Sequence, residues 1–378
     1  MTLLQRCEPT LPAPWYYDAG HYRRELESIW YRSWLCVGRA DEYAEAGAYR
    51  VHRIGDQAIL VTRAADGSLH AFHNTCRHRG SELCGDRAGH FRQQRIVCPY
   101  HSWTYALSGE LLGTPHRLPS EDFDAGRYGL YRVALESVAG FVFVSLEAPP
   151  VDAAESPSAR LRGLAHWPLH ELTLAHRENH TLACNWKVFW ENYSECYHCP
   201  RVHPELCALV PMYGHAVVSP EDDPAPRDPA GTGGSPLAAG AVTWSLDGAT
   251  RLPAFPALSE KERRAGMTFR TLLPAMFVVA HVDYVRTVRV RPLGPEQTEL
   301  VVDWLVSREA RASPVFDVEE LVALGRLVVR QDGRVCEINQ RGLRSRAHTA
   351  GVLVPQEHGV YELHEWIRAR LGERSGDQ

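Results

Sequence analysis

The chain has 378 residues, a formal net charge of −5 and a pI of about 6.4, which is length enough for a sizeable core and two domains. Its basic residues alternate with acidic ones instead of forming runs, which excludes a nucleic-acid partner. No apolar stretch approaches the ~18 residues needed to cross a bilayer, and the N-terminus lacks a charged segment followed by an apolar core, so neither a membrane nor a secreted protein is expected. The ten cysteines follow no disulfide-framework spacing, which fits a cytoplasmic protein whose thiolates are free to hold metal.

In chain order, residues 22–34 place Leu26, Ile29 and Trp30 at helical spacing and predict an amphipathic helix. From about residue 46 the hydrophobic period drops to two. Residues 57–62 and 69–74 predict strands joined by an Asp66-Gly67 hairpin turn, and 95–107 and 140–146 add more, with Ser108-Gly109 as another turn. The result is a compact, mostly β module. Inside it, Cys76 and His78 form a Cys-x-His pair and Cys98 and His101 a Cys-x2-His pair, with nineteen residues between them. Two Cys and two His fit either structural zinc or a Rieske 2Fe-2S cluster. A zinc finger usually pairs Cys with Cys and His with His, whereas here each loop supplies one of each, so the cysteines can share one iron and the histidines the other. Cys84 lacks a His at the required spacing and reads as a buried structural thiol.

Residues 148–158, rich in Pro and Ala, mark a domain boundary. A strand at 172–182 leads into NWKVFWENYSECYHCPRVHPEL, residues 185–206. With Asn185 as cap, a helix from Trp186 to His198 would set Trp186, Trp190, Tyr193 and Tyr197 on a packing face and Glu191, Glu195 and His198 on the other. Pro200 would end that helix and let His203 converge with His198, a pair suited to a divalent first-row metal. Cys196 and Cys199 bracket His198; a redox dithiol is one reading, lining thiols the other. Residues 219–240, rich in Pro and Gly, read as a surface loop, either a lid or a solvated excursion. Strands return at 241–245, 270–282, 285–291 and 298–306, which implies an antiparallel sheet with helices on one side. Residues 318–344 predict a long helix whose inward stripe of Leu321, Leu324, Val328 and Val335 also carries Asp332. An inward carboxylate must be paired or coordinate a metal; otherwise Asp332-Gly333 marks a helix break. Glu337 is the weaker candidate.

Cys76-x-His78 with Cys98-x2-His101 resembles the Rieske motif, and Glu191-Asn192, Glu195, Tyr197-His198 and His203-Pro204 resemble the mononuclear-iron motif of Rieske non-haem iron oxygenases, in the order that family requires. One departure is the nineteen-residue gap, slightly long for the family and assigned to a lengthened loop at 82–95. The resemblance implies an α+β chain with an all-β Rieske domain at 41–149. It places a helix-grip (START-like) catalytic domain, with a large antiparallel sheet and helices, at 150–378, and an N-terminal segment at 1–40 packing on it. It further implies a 2Fe-2S cluster on Cys76, His78, Cys98 and His101, a mononuclear Fe(II) on His198, His203 and Asp332, and O2 as co-substrate. Electrons would come from an NAD(P)H-dependent flavin or iron-sulfur reductase, with or without a ferredoxin. In a homotrimer, Glu195 would turn its second oxygen outward and bridge His198 to a cluster histidine of a neighbouring subunit.

Glu195, where ring dioxygenases have Asp, with the ECYHC and HPEL strings, more closely resembles the branch that oxidises choline, glycine betaine, proline betaine or carnitine. That implies hydroxylation of a quaternary ammonium compound with N-demethylation or C–N cleavage; the alternative is an oxygenase acting on an aromatic acid. Tyr213, Trp244, Phe269 and Phe277 are available to cage such a cation by cation–π attraction. From other classes, the chain would be a Rieske electron carrier with a non-catalytic domain, or a zinc-stabilised binding protein.

Overall fold

The computed structural model describes residues 3–147, 153–219, 221–223 and 237–373. Most of the expected 219–240 loop and residues 148–152 of the expected boundary lie outside them. The chain divides into two compact units, Trp30–Arg160 and Met1–Ile29 with Leu161–Gln378. Among the described residues no helix is long and apolar enough to cross a membrane.

The N-terminal segment forms β1 (Glu8–Pro9) and α1 (Ala19–Glu25), whose cap Asp18 accepts a hydrogen bond from the His21 amide. The helix predicted at 22–34 therefore starts earlier, and it continues only as a π turn, Leu26–Trp30. The chain must then straighten for β2 (Leu35–Arg39).

The Trp30–Arg160 unit holds β3 (Ala48–Ile54), β4 (Gln57–Arg63), β5 (Leu69–His73), β6 (Ala88–His90), β7 (Arg95–Val97), β8 (Thr104–Ala106), β9 (Leu111–Gly113), β10 (Arg132–Val138) and β11 (Phe141–Ser145). A seven-stranded sheet runs β2-β11-β10-β5-β4-β3-β6, and β7-β8-β9 form a separate three-stranded sheet. The Asp66-Gly67 turn closes β4 onto β5 with Arg63 opposite Leu69, and Gly67 sits at φ 84°, open to glycine at little cost. The strand expected at 95–107 is interrupted: residues 98–103 fold back, with the Ser102 amide on the Cys98 carbonyl, and thereby carry a ligand pair out to a loop tip.

After α2 (Pro157–Leu161), the larger unit is built on β12 (Thr173–Leu182), β13 (Met267–Leu272), β14 (Met276–His281), β15 (Val285–Gly294) and β16 (Gln297–Val306), in the order β12-β16-β15-β14-β13, all antiparallel. The single strand expected at 270–282 is two, because Pro274 cannot donate to a ladder and the chain turns there. The strand expected at 241–245 is irregular; the Val242 and Thr243 amides both turn back onto the Gly248 carbonyl. Helices α3 (Trp186–Tyr193), α4 (Cys199–Val202), α5 (Pro204–Leu209), α6 (Glu260–Ala265), α7 (Arg308–Ala312) and α8 (Val318–Leu343), then β17 (Val352–Leu353) and α9 (His358–Leu371), complete the unit. Helix α8 runs unbroken through Asp332-Gly333, its Asp317 cap accepting the Glu319 and Glu320 amides. It lies over the sheet where Gly325 meets Arg286 and Trp304. Helix α3 packs on the same sheet, Tyr193 stacking on Phe277 at 3.9 Å between ring centroids. β1 pairs with β17, and the Tyr16 carbonyl accepts from Gln340 of α8.

Candidate metal centres

Asn185 caps α3 by accepting the Lys187 amide. The helix stops at Tyr193, not at His198: the Ser194 amide closes onto Trp190 and Glu191, and Glu195 Oε2 accepts the Tyr197 and His198 amides that a continuing helix would have used. Tyr197, expected on the packing face, is consequently exposed. Pro200 falls in the first turn of α4, and Pro204 opens α5, positions where a missing N–H costs nothing. Proline here begins helices instead of ending one. Cys196 and Cys199, for which a redox dithiol and lining thiols were the two readings, are joined in a disulfide across a turn that brings their Cα atoms to 4.9 Å, within bonding range.

The short helices set His198 and His203 at either end of α4, and α8 delivers Asp332 opposite. His198 Nε2 lies 3.2 Å from His203 Nε2, and Asp332 Oδ1 lies 2.8 Å from His203 Nε2 and 3.5 Å from His198 Nε2. Each imidazole is held by its other nitrogen: His198 Nδ1–H donates to Glu195 Oε1 at 2.5 Å, and His203 Nδ1–H to Gln331 Oε1 at 2.8 Å. That fixes the tautomer and aims two Nε2 lone pairs and a carboxylate oxygen at one point, a donor set that fits a two-His-one-carboxylate iron site. Burial disfavours charge on both partners, but in the ligand-free protein the contacts with Asp332 and Glu195 win and raise His198 to about 9, while His198 and His203 hold Asp332 below its usual range. Three acceptors this close need a shared cation, proton or metal. Cys199 Sγ lies 3.8 Å from His198 Nε2, but as a disulfide sulfur it is no thiolate ligand. Glu337 is turned away and accepts the Ala183 amide.

The sequence reading gave no role to Asn192 or Gln331. Asn192 Nδ2 reaches Asp332 Oδ1 at 3.1 Å and His198 Nε2 at 3.0 Å, and Gln331 is itself tethered to Glu205. Asn192 stood in the Glu191-Asn192 string, the one signal that pointed to it, and Gln331 was marked only by being the neighbour of Asp332 in the chain. Both Glu195 oxygens accept hydrogen bonds within the chain, Oε1 from His198 Nδ1 and Oε2 from the Tyr197 and His198 amides.

In the Trp30–Arg160 unit the two loop tips present their ligand candidates asymmetrically. Cys76 and Cys98 are each 2% exposed, whereas His78 is exposed and His101 half-buried. The imidazoles lie 4.7 Å apart, and His78 stacks on Trp103 at 4.8 Å. Tyr105 Oη sits 3.2 Å from Cys76 Sγ, and the Cys76 and Cys98 side chains adjoin. Sulfurs inside and imidazoles at the rim fit a cluster with one iron on each pair. Cys84 is buried and its thiol is pushed up to about 12 by desolvation, as suits a structural residue.

Of the four aromatic candidates, Tyr213, Trp244 and Phe269 form a chain of edge contacts at 6.3 and 6.0 Å. Tyr213 and Trp244 are buried with Cys196, Cys199, Leu324 and Val328, Phe269 packs against that cluster, and Cys199 is the neighbour of His198 of the candidate triad. Phe277 belongs to a different stack, with Tyr193, Phe189 and Trp190.

Residues 169–373 match the family described as ring hydroxylating alpha subunit, catalytic domain, and residues 33–124 match the Rieske [2Fe-2S] domain. The chain belongs to the ring-hydroxylating α-subunit family. As a Rieske non-haem iron oxygenase it uses a 2Fe-2S cluster, a mononuclear iron and O2; the electron-carrier and zinc-protein readings are thereby excluded. Electrons reach oxygenases of this family from reductase partners. Among its relatives, the glycine betaine monooxygenase oxygenase subunit of Chromohalobacter salexigens is 34% identical over 94% of this chain and 84% of its own length. The chloroplastic choline monooxygenase of Spinacia oleracea is 28% identical over 96% of this chain and 78% of its own. The solved quaternary ammonium Rieske monooxygenase CntA, in complex with L-carnitine, has the same fold, with a TM-score of 0.70 at 24% identity over 96% of each chain.

Proposed function

We propose that this oxygenase hydroxylates a quaternary ammonium compound of the betaine type, with N-demethylation or C–N cleavage. The observation that carries the reading is the convergence of His198, His203 and Asp332 beside the aromatic chain Tyr213–Trp244–Phe269, of which Tyr213 and Trp244 are buried and Phe269 half-buried. A cation that cannot donate hydrogen bonds is held by ring faces, and the names of the relatives above point to the same substrate class. His198, His203 and Asp332 are the iron ligands in this reading, and Cys76, Cys98, His78 and His101 those of the cluster.

Iron bound there supplies O2 activation. The chain's own groups do the rest. Glu195 and Gln331 hold the imidazole Nδ1 protons so that both Nε2 atoms stay available, and the aromatic faces set a methyl group toward the triad while excluding water. Hydroxylating one methyl consumes O2, two electrons and two protons and yields an N-hydroxymethyl ammonium ion and water; this carbinol then releases formaldehyde, the tertiary amine and a proton. With purified protein, O2 and a generic reductase, glycine betaine gives formaldehyde. Turnover of an aromatic acid to a cis-diol, with no betaine oxidised, would favour the ring-hydroxylating alternative.

The protein is further read as a cytoplasmic homotrimer served by an NAD(P)H-dependent reductase. Glu195 keeps spare lone pairs beside an opening of about 260 Å³ lined by Glu191, Asn192, His198 and Glu357, where a neighbour's His78 or His101 can dock. Glu195→Gln then keeps both metals but slows cluster reoxidation in single turnover; reoxidation at the wild-type rate would mean Glu195 only orients His198.

A further inference from the structure

Arg286, on β15, is 6% exposed, a burial rare for a guanidinium without a partner. Among the described residues its Nε has no hydrogen-bond partner, and its Nη1 makes only a long 3.4 Å contact with the Gly325 carbonyl. The carboxylate whose field reaches it is Asp332 of the metal triad, and Tyr193 and Tyr284 act on it as well. The sheet register explains the location. Arg286 stands opposite Val279 on one side and Trp304 on the other, and Val279 stands opposite Phe269, so Phe269, Val279, Arg286 and Trp304 share one face of the sheet.

Beside that row, His281 is fully buried with neither ring nitrogen bonded among the described residues. It stacks on Tyr284 at 4.2 Å and leans on Trp244 at 5.5 Å. Burial, reinforced by the Arg286 charge, keeps it neutral. Trp244 Nε1 and Trp304 Nε1 are likewise buried and unpartnered there. One face of the sheet under α8 thus collects unsatisfied donors, one of them cationic, next to the aromatic chain. Each such group costs free energy while it waits. A buried guanidinium that no carboxylate among the described residues pairs with calls for an acceptor brought by a ligand.

We infer that Arg286 is the anchor for the carboxylate of the substrate, so that the substrate is a zwitterion and not the alcohol choline: its anionic end lies on Arg286, with His281 and Trp244 as further donors, and its ammonium lies on the faces of Tyr213, Trp244 and Phe269. Guanidinium binds carboxylate through two parallel N–H bonds, which fixes orientation as well as affinity. The two ends of a small betaine are a few bonds apart, so pinning one end sets which N-methyl group faces the triad. The inference rests on the quaternary ammonium reading and deepens it.

Calorimetric binding separates the two. The ligands are glycine betaine, acetate, choline and tetramethylammonium, and the proteins are holoenzyme and its Arg286→Met and Arg286→Lys variants, each checked for cluster spectrum and iron content. Wild type binds glycine betaine more tightly than choline. Arg286→Met weakens glycine betaine by about 10²-fold, as expected for losing a charge-assisted bidentate pair, abolishes acetate binding and leaves tetramethylammonium within threefold. Arg286→Lys falls between. The ligand-free Arg286→Met protein melts no lower than wild type, because an unpaired buried charge has been removed; a structural arginine would give a clear fall. Glycine betaine affinity within threefold of wild type in Arg286→Met, stronger binding of choline than of glycine betaine by wild type, or no binding of any carboxylate overturns the inference. Binding with this pattern but no oxidation of any betaine would instead sink the proposed reaction and leave the anchor standing.

Discussion

Helix α3, which leads into the segment that carries His198 and His203, is tied to the N-terminal segment by an ion pair with no solvent access: Lys187 and Glu25 are both 0% exposed and lie 2.5 Å apart, Nζ to Oε1. Lys187 Nζ also donates to the Trp15 carbonyl and Asn185 Oδ1, Trp186 Nε1 donates to Glu25 Oε2, and His21 approaches Glu25 at 3.1 Å. In Lys187→Met the charge of Glu25 is left buried and uncompensated, which costs about 3–5 kcal/mol. For a folding unit of this size that is a fall in Tm of about 6–20 °C. Lys187→Met/Glu25→Gln keeps an acceptor for Trp186 and removes both charges, so it recovers more than half of the loss.

The pH dependence has a definite sign. Burial pushes Glu25 up, but the Lys187 charge and His21 outweigh it and leave its pKa lowered. A lowered folded pKa gives stability that is present above the unfolded value of about 4.3 and lost as pH falls through the folded one. In Lys187→Met the largest opposing contribution is gone, Glu25 titrates higher, and acidification from pH 7 toward 5 narrows the gap to wild type. Calorimetric melting at several pH values checks both statements. A Lys187→Met loss under 1 kcal/mol, or a double variant no more stable than the single, would refute the argument that the pair is held in a closed, low-dielectric pocket.

Cys76→Ala or His101→Ala should abolish the visible Rieske chromophore, whereas His203→Ala should keep that spectrum and lose mononuclear iron and turnover, by absorption and metal analysis. Tyr105→Phe removes the hydroxyl 3.2 Å from Cys76 Sγ; a hydrogen bond to a cluster sulfur favours the reduced form, so the potential should fall by about 50 mV, the equivalent of ~1 kcal/mol, and redox titration within 10 mV of wild type would count against it. Gln331→Leu removes the acceptor of the His203 Nδ1 proton and should weaken iron binding about 10–100-fold in a metal titration, with the cluster spectrum unchanged.

The sequence by itself determined what is local. Turn chemistry at Asp66-Gly67 and the cap at Asn185 are set by neighbours within one or two turns, and both appear in the fold; of the apolar stripe that drew attention to Asp332, Leu324 and Val328 are buried and Leu321 and Val335 half-buried. The motif strings brought His198, His203 and Asp332 to attention, and the fold brings them together. What failed were continuations: a helix carried to His198, a strand carried across Pro274, another strand at 241–245. In each, side-chain or turn hydrogen bonds from a few residues away outcompeted the periodic pattern, and a period does not record such competition. Only the tertiary structure decided which aromatics share a wall, separating Phe277 from Tyr213, Trp244 and Phe269, since that depends on strand register across the sheet. The same is true of Arg286. Along β15 it is followed by Arg289 and Arg291, which pair with Asp303 and Glu299; the two-residue period sets Arg286 on the opposite face from these two but does not tell what covers that face. The partners of Arg289 and Arg291 lie on β16 and the cover of Arg286 is α8; whether an arginine is neutralised or kept waiting for a ligand is fixed by residues far along the chain.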